Sequence, residues 1–549
     1  MRIALLILLA IGVSNLTFAQ SPVTAEQWQE DLDSLQQTIH TDYPFLFKKT
    51  TREDFDAAVA DFRKDIPNME THEIVVGFAR IISSFKYGHT SVSWGSYEGV
   101  EYDRMPYYLK MFKDGLFIQA TQQAYEKALG AQVLEVEGMP VEKALAAVKP
   151  AFPTENDEFF KAYGVNYLSN AQLLHAQGVT PRLKKNITLT LKKDGKTFQQ
   201  TFAPRAGDEI PRQYTYVQEE GDWLDARDNS TDPLYLKNLD RIYYYEYLPE
   251  AKTVYVRQSQ IQDDPQEDIP SFYKRVFTFV EENEVDKLIL DVRLNGGGNN
   301  YKNKPVVTGV VQSKVNQPGH FFVITSGQTF SACQNLVNEL DNYTEAIFVG
   351  QPTGENINFY GDNRTVVLPN SKLPVRLSFA WWQDKPQWEN DQWLAPHISV
   401  EMTFEEYASN KDPVLDKILS LNLDEFIAAP MTYFTNLFTT GQIEQLKSEA
   451  ARMAKDPLYT FFDFQGELNQ AGYNLLANNQ YQEAIFVFQM VSDLFPDSAN
   501  AWDSLAEGYW RAGNKEKARE YYQKAISMDP EGPTGKHARD MLKQMEEHD

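Results

Sequence analysis

The 549-residue chain has one cysteine, Cys333, so no intrachain disulfide can staple it. It has only eight histidines, and they form no Cys/His cluster that could ligate zinc. Basic residues are scarce: 52 Lys and Arg stand against 77 Asp and Glu, for a net charge of −25. Such a surface is repelled by phosphate backbones and anionic lipid, so nucleic-acid binding is not expected. Past the first residues, no apolar stretch reaches the ~20 residues of a spanning helix. Hydrophobic residues at 42% and charged residues at 23% are ordinary globular proportions, which excludes a wholly disordered chain or a collagen. At roughly 150 residues per domain, several units are expected.

The first residues read as an address. Arg2 precedes the apolar run 3–13, and Thr17-Phe18-Ala19 puts small residues ahead of a cut before Gln20. Residues 1–19 are therefore expected to be a signal peptide. The mature protein would be periplasmic or secreted, with no membrane attachment after cleavage.

Periodicity divides the remainder. In residues 20–95, Trp28, Leu32, Leu35, Ile39 and then Phe55, Val59, Phe62 recur at helical spacing. Residues 96–205 carry short strand-like runs at 115–118 and 187–191, and Lys193-Asp194-Gly195-Lys196 is a hairpin turn signal. Residues 206–425 alternate buried strands (253–256, 288–292, 321–325, 346–350) with helices (272–282 and from Ser331), the pattern of a covered α/β sheet. Residues 426–460 read as a helical connector. In 461–549, Ala484 and Ala518, Phe488 and Tyr522, and Pro496 and Pro530 recur at the roughly 34-residue period of a tetratricopeptide repeat. Repeats contact mainly their neighbours, so the part before residue 461 is expected to fold without them.

Three segments carry candidate chemistry. The strand ending at Asp291-Val292 runs into Asn295-Gly296-Gly297-Gly298, whose backbone N–H groups are free of side-chain interference and suit a developing anion. On its own such a stretch is more often a plain turn. Thr329-Phe330-Ser331-Ala332 places a serine between a strand and a helix, where N–H groups and the dipole favour an alkoxide; the bland reading is a helix cap. Gly88-His89-Thr90 puts a histidine in a turn, as a general base or as a satisfied structural residue.

Order and spacing together resemble the C-terminal processing (tail-specific) serine peptidases. After the glycines come Ser331-Ala332, then Gly350-Gln351-Pro352-Thr353-Gly354, then Leu394-Ala395-Pro396-His397-Ile398 with His397 where that family has Asp, then Asp412-Pro413-Val414-Leu415. Residues 129–141 resemble a PDZ-like module. The resemblance covers about 25–425. It implies a multidomain α/β protein: an N-terminal helical region, a PDZ-like β-rich module, a ClpP/crotonase-like peptidase core and α-helical tetratricopeptide repeats.

It further implies Ser331 as nucleophile, with the oxyanion held by the N–H of Ala332 and one from Gly296, Gly297 or Gly298. The lysine used by one branch of the family falls at Asn356, and no lysine lies between Lys314 and Lys372. His89 matches the base of the tricorn-like branch, although Gly88 stands where that branch has serine. Asp362 and Glu389 are both candidates for the acid that orients His89. No metal or cofactor is implied. The substrate would be a peptide or protein, adding as a strand to a sheet edge of the PDZ-like module, and the repeats would dock a protein partner. The rival expectation is a peptide-binding protein that keeps the fold without the chemistry, for which Gly88, Gln334 and Asn356 would be the marks.

Overall fold

The computed structural model describes residues 22–205, 210–422 and 426–547. The expected leader 1–19 and the cut before Gln20 lie outside the described residues. Among the described residues, no helix is long and apolar enough to cross a membrane.

Helices Ala25–Asp42, Arg52–Asp65 and Thr71–Ser83 open the chain. Thr24 closes a capping box with Gln27, and Thr51 caps the second helix through the Asp54 N–H. Their apolar stripes share one core with the β-rich module that follows. That module is a seven-stranded sheet ordered Trp223–Asp225, Gly115–Gln122, Gln132–Val136, Ile187–Lys193, Lys196–Phe202; Tyr107–Phe112 pairs with Gly115–Gln122, and Met139–Pro140 with Gln132–Val136. The hairpin 187–202 turns at Asp194 and Gly195, with φ of 50° and 73°, as the two positive φ values of a tight hairpin turn require. The sheet reaches past residue 205 to take in Trp223–Asp225.

The second layer is a six-stranded sheet ordered Tyr243–Leu248, Thr253–Gln258, Lys287–Asp291, Phe321–Thr325, Ile347–Gly350, Ile398–Ser399. The first pair is antiparallel and the rest are parallel. Both faces are buried, which is why these strands are apolar without alternation. Helices Ile269–Glu282, Lys304–Gln312 and Ala332–Tyr343 pack on the face that carries Leu288, Leu290 and Val323. The other face carries Ile289, Phe322, Ile324 and Val349. It is covered first by Val414, Leu415 and Ile418 of helix Pro413–Ser420.

The cover does not stop at residue 425. Phe434 and Leu446, then Phe464 and Leu468 of helix Phe464–Ala477, then Met490 and Val491 of helix Tyr481–Leu494, belong to the same hydrophobic cluster. The last helices, Ala499–Arg511, Lys515–Met528 and Pro533–Glu547, close a further core around Leu505, Tyr522 and Ala525 with Leu476, Ala484 and Phe488 of the two preceding helices, while Ala501 still belongs to the sheet's cluster. The early repeat residues are thus part of the sheet's packing, because the face of Ile289 and Phe322 would otherwise meet water. Deleting 461–549 is therefore expected to give an aggregating protein. Leu468→Ala should cost ~2–5 kcal/mol in urea denaturation. A deletion that melts like the full chain would refute this.

Candidate active site

Ser331 lies where strand Phe321–Thr325 passes into helix Ala332–Tyr343. Its φ is 58° and its ψ −128°, a conformation costing a non-glycine residue ~1–3 kcal/mol. A capping serine has no need of it, and the Ser331 side chain makes no capping hydrogen bond. Neighbours hold the strain: Thr329 Oγ1 donates to the Val292 carbonyl at 3.1 Å, and the Phe330 N–H donates to the Asn295 carbonyl at 3.2 Å. Gly297, at φ 102°, sits against the serine. A Cβ there would come within 2.6 Å of Ser331 Cβ and 2.9 Å of Ala332 N, so only glycine fits.

His89 arrives from 242 residues away, and Ser331 Oγ donates to its Nε2 at 3.0 Å. Its place is fixed by a small three-stranded sheet. Ser91–Val92 pairs with Pro374–Gln383, which pairs with Asn358–Val367. Thr90 Oγ1 donates to Ser378 Oγ at 2.8 Å and accepts the Ser378 N–H at 3.1 Å. The imidazole stacks between Phe330, at 4.7 Å and 16°, and Phe359, at 6.1 Å and 16°. Phe330 in turn stacks on Phe159 at 4.4 Å.

The carboxylate at His89 is Glu355, a residue the sequence reading had passed over. Glu355 is fully buried. Its Oε2 accepts the Ser331 N–H at 2.6 Å, and its Oε1 lies 3.5 Å from His89 Nδ1. Among the described residues neither Asp362 nor Glu389 makes an ion pair or hydrogen bond with His89, and Asp362 acts on its charge only through space. Burial along strand Asn358–Val367 ends at Gly361, which leaves Asp362 exposed on the hairpin, and Glu389 is exposed in the loop beyond. Burial pushes the Glu355 carboxyl up to about 7. Burial also disfavours charge on His89, but the facing Glu355 outweighs it and the His89 pKa is raised. The two groups titrate as one pair. With Nδ1–H turned toward Glu355, Nε2 is the nitrogen left to take the serine proton.

Ala332 is the first residue of its helix, and its N–H has no acceptor among the described residues. The same holds for the N–H groups of Gly296 and Gly298. The Gly297 N–H is occupied, donating to Asn295 Oδ1 at 2.9 Å, which removes it from the donors considered for an oxyanion. Asn356, at the lysine position, is buried, and its Oδ1 has no partner. His397 is structural: its Nδ1 accepts the Phe348 N–H at 3.0 Å, and burial lowers its pKa. In Asp412-Pro413-Val414-Leu415, Asp412 caps helix Pro413–Ser420. It also takes two hydrogen bonds from Arg293, each at 2.9 Å, tying that helix to the base of the glycine loop.

At strand Tyr107–Phe112 the main chain of Leu109 is already paired by a side chain. The Leu109 N–H donates to Asn166 Oδ1 at 2.8 Å, and the Leu109 carbonyl accepts from Asn166 Nδ2 at 3.0 Å, as an incoming strand would pair.

The tetratricopeptide repeat family model matches residues 499–531. No curated protein matches the chain. Among solved structures, the chain is similar to mature CPAF, with a TM-score of 0.51 at 13% identity over 72% of this chain and 97% of that one. A serine-to-alanine variant of CPAF gives 0.53 at 12% identity over 74% and 99%. The photosystem II D1 C-terminal processing protease gives 0.34 at 11% identity over 71% and 99%. Identities this low speak to the fold alone. The chain shares a mixed α/β fold with CPAF and carries helical repeats at its C-terminal end.

The geometry sets two expectations. Ser331→Gly should raise the melting temperature relative to Ser331→Ala, because glycine adopts φ 58° without strain. Equal melting temperatures would remove the strain argument. Gly88→Ser should destabilise by ~1–3 kcal/mol in thermal unfolding. A Cβ at Gly88 would meet the Phe330 ring at 2.6 Å and push it off His89.

Proposed function

We propose that the chain is a serine-type peptidase, exported as its leader suggests, that hydrolyses peptide bonds in peptides or proteins. The observation that carries this reading is the 3.0 Å contact between Ser331 Oγ and His89 Nε2 on a serine held at φ 58°. Ser331 attacks the scissile carbonyl while His89 accepts its proton. His89 then returns that proton to the leaving amine. Water hydrolyses the acyl-enzyme by the same two transfers in reverse order. Glu355 orients the imidazole and stabilises its cation as the proton arrives. The tetrahedral oxyanion is held by the Ala332 N–H and by Gly296 or Gly298, each donor being worth ~3 kcal/mol of barrier. The repeat matched over 499–531 supports a protein partner at the C-terminal end.

A fluorophosphonate probe tests the reading. It should label Ser331, and both Ser331→Ala and His89→Ala should abolish labelling. Turnover in the two variants should fall by similar orders of magnitude, since the pair acts as a unit. A folded wild-type protein that the probe leaves unmodified would identify a peptide binder without chemistry.

The pH profile tests the role of Glu355. The base works only when unprotonated, so activity should fall on acidification through the raised pKa of His89. In Glu355→Gln the facing charge is gone while burial remains, so the acid limb should move to lower pH as turnover drops. An unmoved acid limb would mean that Glu355 does not set the imidazole's proton affinity.

A further inference from the structure

A second buried carboxylate stands at the turn that delivers His89. Glu155 lies in the short link before helix Asp157–Tyr163, and its side chain has no exposure to water. Its Oε2 accepts the Gly88 N–H at 2.6 Å, so the residue directly before the base is gripped by its main chain. Its Oε1 accepts from Lys49 Nζ at 2.8 Å. Lys49 also donates to the Lys86 carbonyl at 2.7 Å and lays its ammonium 4.2 Å over the Tyr87 ring. Lys86 is at φ 56°, a left-handed conformation that a non-glycine residue keeps only when its neighbours hold it. The ion pair thus clamps the chain at 86–88, and Thr90 ties it to Ser378 just beyond the base.

The clamp is anchored in turn to the segment that carries Glu355. Asn156, the next residue, donates through Nδ2 to the Thr353 carbonyl at 3.0 Å and to the Gln392 carbonyl at 2.6 Å, while its Oδ1 accepts the Phe159 N–H at 2.9 Å. The turn of the base and the segment of its facing acid are therefore both tied to residues 155 and 156. A neutral amide could accept the Gly88 N–H without the cost of burying a charge. What the carboxylate adds is its field. Burial disfavours a proton on His89, and the charges that oppose burial are Glu355, then Glu155, then Asp362. Glu155 itself faces the Lys49 ammonium and the Tyr87 hydroxyl, whose pKa is raised by burial and by this carboxylate.

We propose that Glu155, with Lys49 as its counter-ion, is a positioning residue for the base: it holds the His89 turn through the Gly88 N–H and keeps a negative charge near the imidazole. The inference rests on the serine-peptidase reading. Among the described residues, Glu155 makes no hydrogen bond to His89 or Ser331, so it acts through the turn and through space. When Ser331 gives up its proton, the imidazolium that forms is favoured by both buried carboxylates. Slack in the turn would lengthen the 3.0 Å contact between Ser331 Oγ and His89 Nε2, on which the proton transfer depends.

The experiment follows labelling of Ser331 by a fluorophosphonate probe in the full chain. The limiting rate, the half-saturating probe concentration and the pH profile are measured for wild type, Glu155→Ala and Glu155→Gln. Glu155→Ala removes acceptor and charge together. Its limiting rate should fall roughly tenfold to a hundredfold, with the half-saturating concentration little moved. Glu155→Gln keeps an acceptor for the Gly88 N–H and removes only the charge. It should lose less rate, and its acid limb should lie at lower pH than that of wild type. The sign follows from the charge: without Glu155 the His89–Glu355 pair binds its proton less tightly, so the base stays free to lower pH. A purely structural residue would lower the melting temperature and leave the acid limb in place. Should Glu155→Ala fail to fold, the acid limb of Glu155→Gln decides alone. An unmoved acid limb in Glu155→Gln, or labelling at the wild-type rate by Glu155→Ala shown folded by circular dichroism, would overturn the proposal while leaving the peptidase reading intact. A folded wild type that the probe leaves unmodified would instead bring down that reading, and this assignment with it.

Discussion

A buried carboxylate organises the site. Glu355 has no exposure to water, and an ionised carboxylate in that position is costly unless it is paired and hydrogen-bonded. Its two oxygens face the Ser331 N–H and His89 Nδ1. The serine's place depends on the six-stranded sheet and the histidine's on the small three-stranded one, so this carboxylate joins two sheets that share no strand. Any shift of one sheet against the other would leave the charge unpaired. A rigid joint of that kind is also what a nucleophile and base need, since their contact must hold to fractions of an ångström.

The parts of this arrangement visible in the sequence were those with a local signature. The buried strands announce themselves as apolar runs, and Ser331 and His89 each sit in a short motif at an element boundary. Glu355 has no such motif, and among 77 acidic residues chemistry alone did not single it out. One signal was present: Glu355 is the only charged residue between 346 and 361. A lone acid in an apolar, Gly- and Asn-rich run is an acid about to be buried. Asp362 and Glu389 attracted notice by proximity in sequence. Yet the side a strand turns to solvent is decided by the sheet it joins, which the sequence does not print.

The repeats show the same limit from another direction. Their period was legible because each repeat is a local unit, and the family model falls on 499–531. Their attachment was not legible, because a helix with an apolar stripe does not name the surface it will cover. Phe464 and Leu468 fill the same cluster as Ile289 and Phe322. The boundary that a period draws at residue 461 is therefore a boundary of sequence pattern and not of packing. The helices before the matched repeat therefore pack on the same sheet that leads into Ser331.

The departures from the tail-specific pattern have physical counterparts in the site. Gly88 stands where a serine would orient the histidine, and space explains it: the Phe330 ring occupies the volume a side chain would need, and that ring stacks on His89. Stacking between Phe330 and Phe359 and the facing Glu355 together restrict the imidazole in the way a hydroxyl partner would. The loss of a lysine at Asn356 is matched by a carboxylate one residue earlier, pointing at a different base. A strained serine and a buried acid together, with the Ala332 and Gly296 N–H groups unpaired beside them, are what the proposed acyl-transfer site would require.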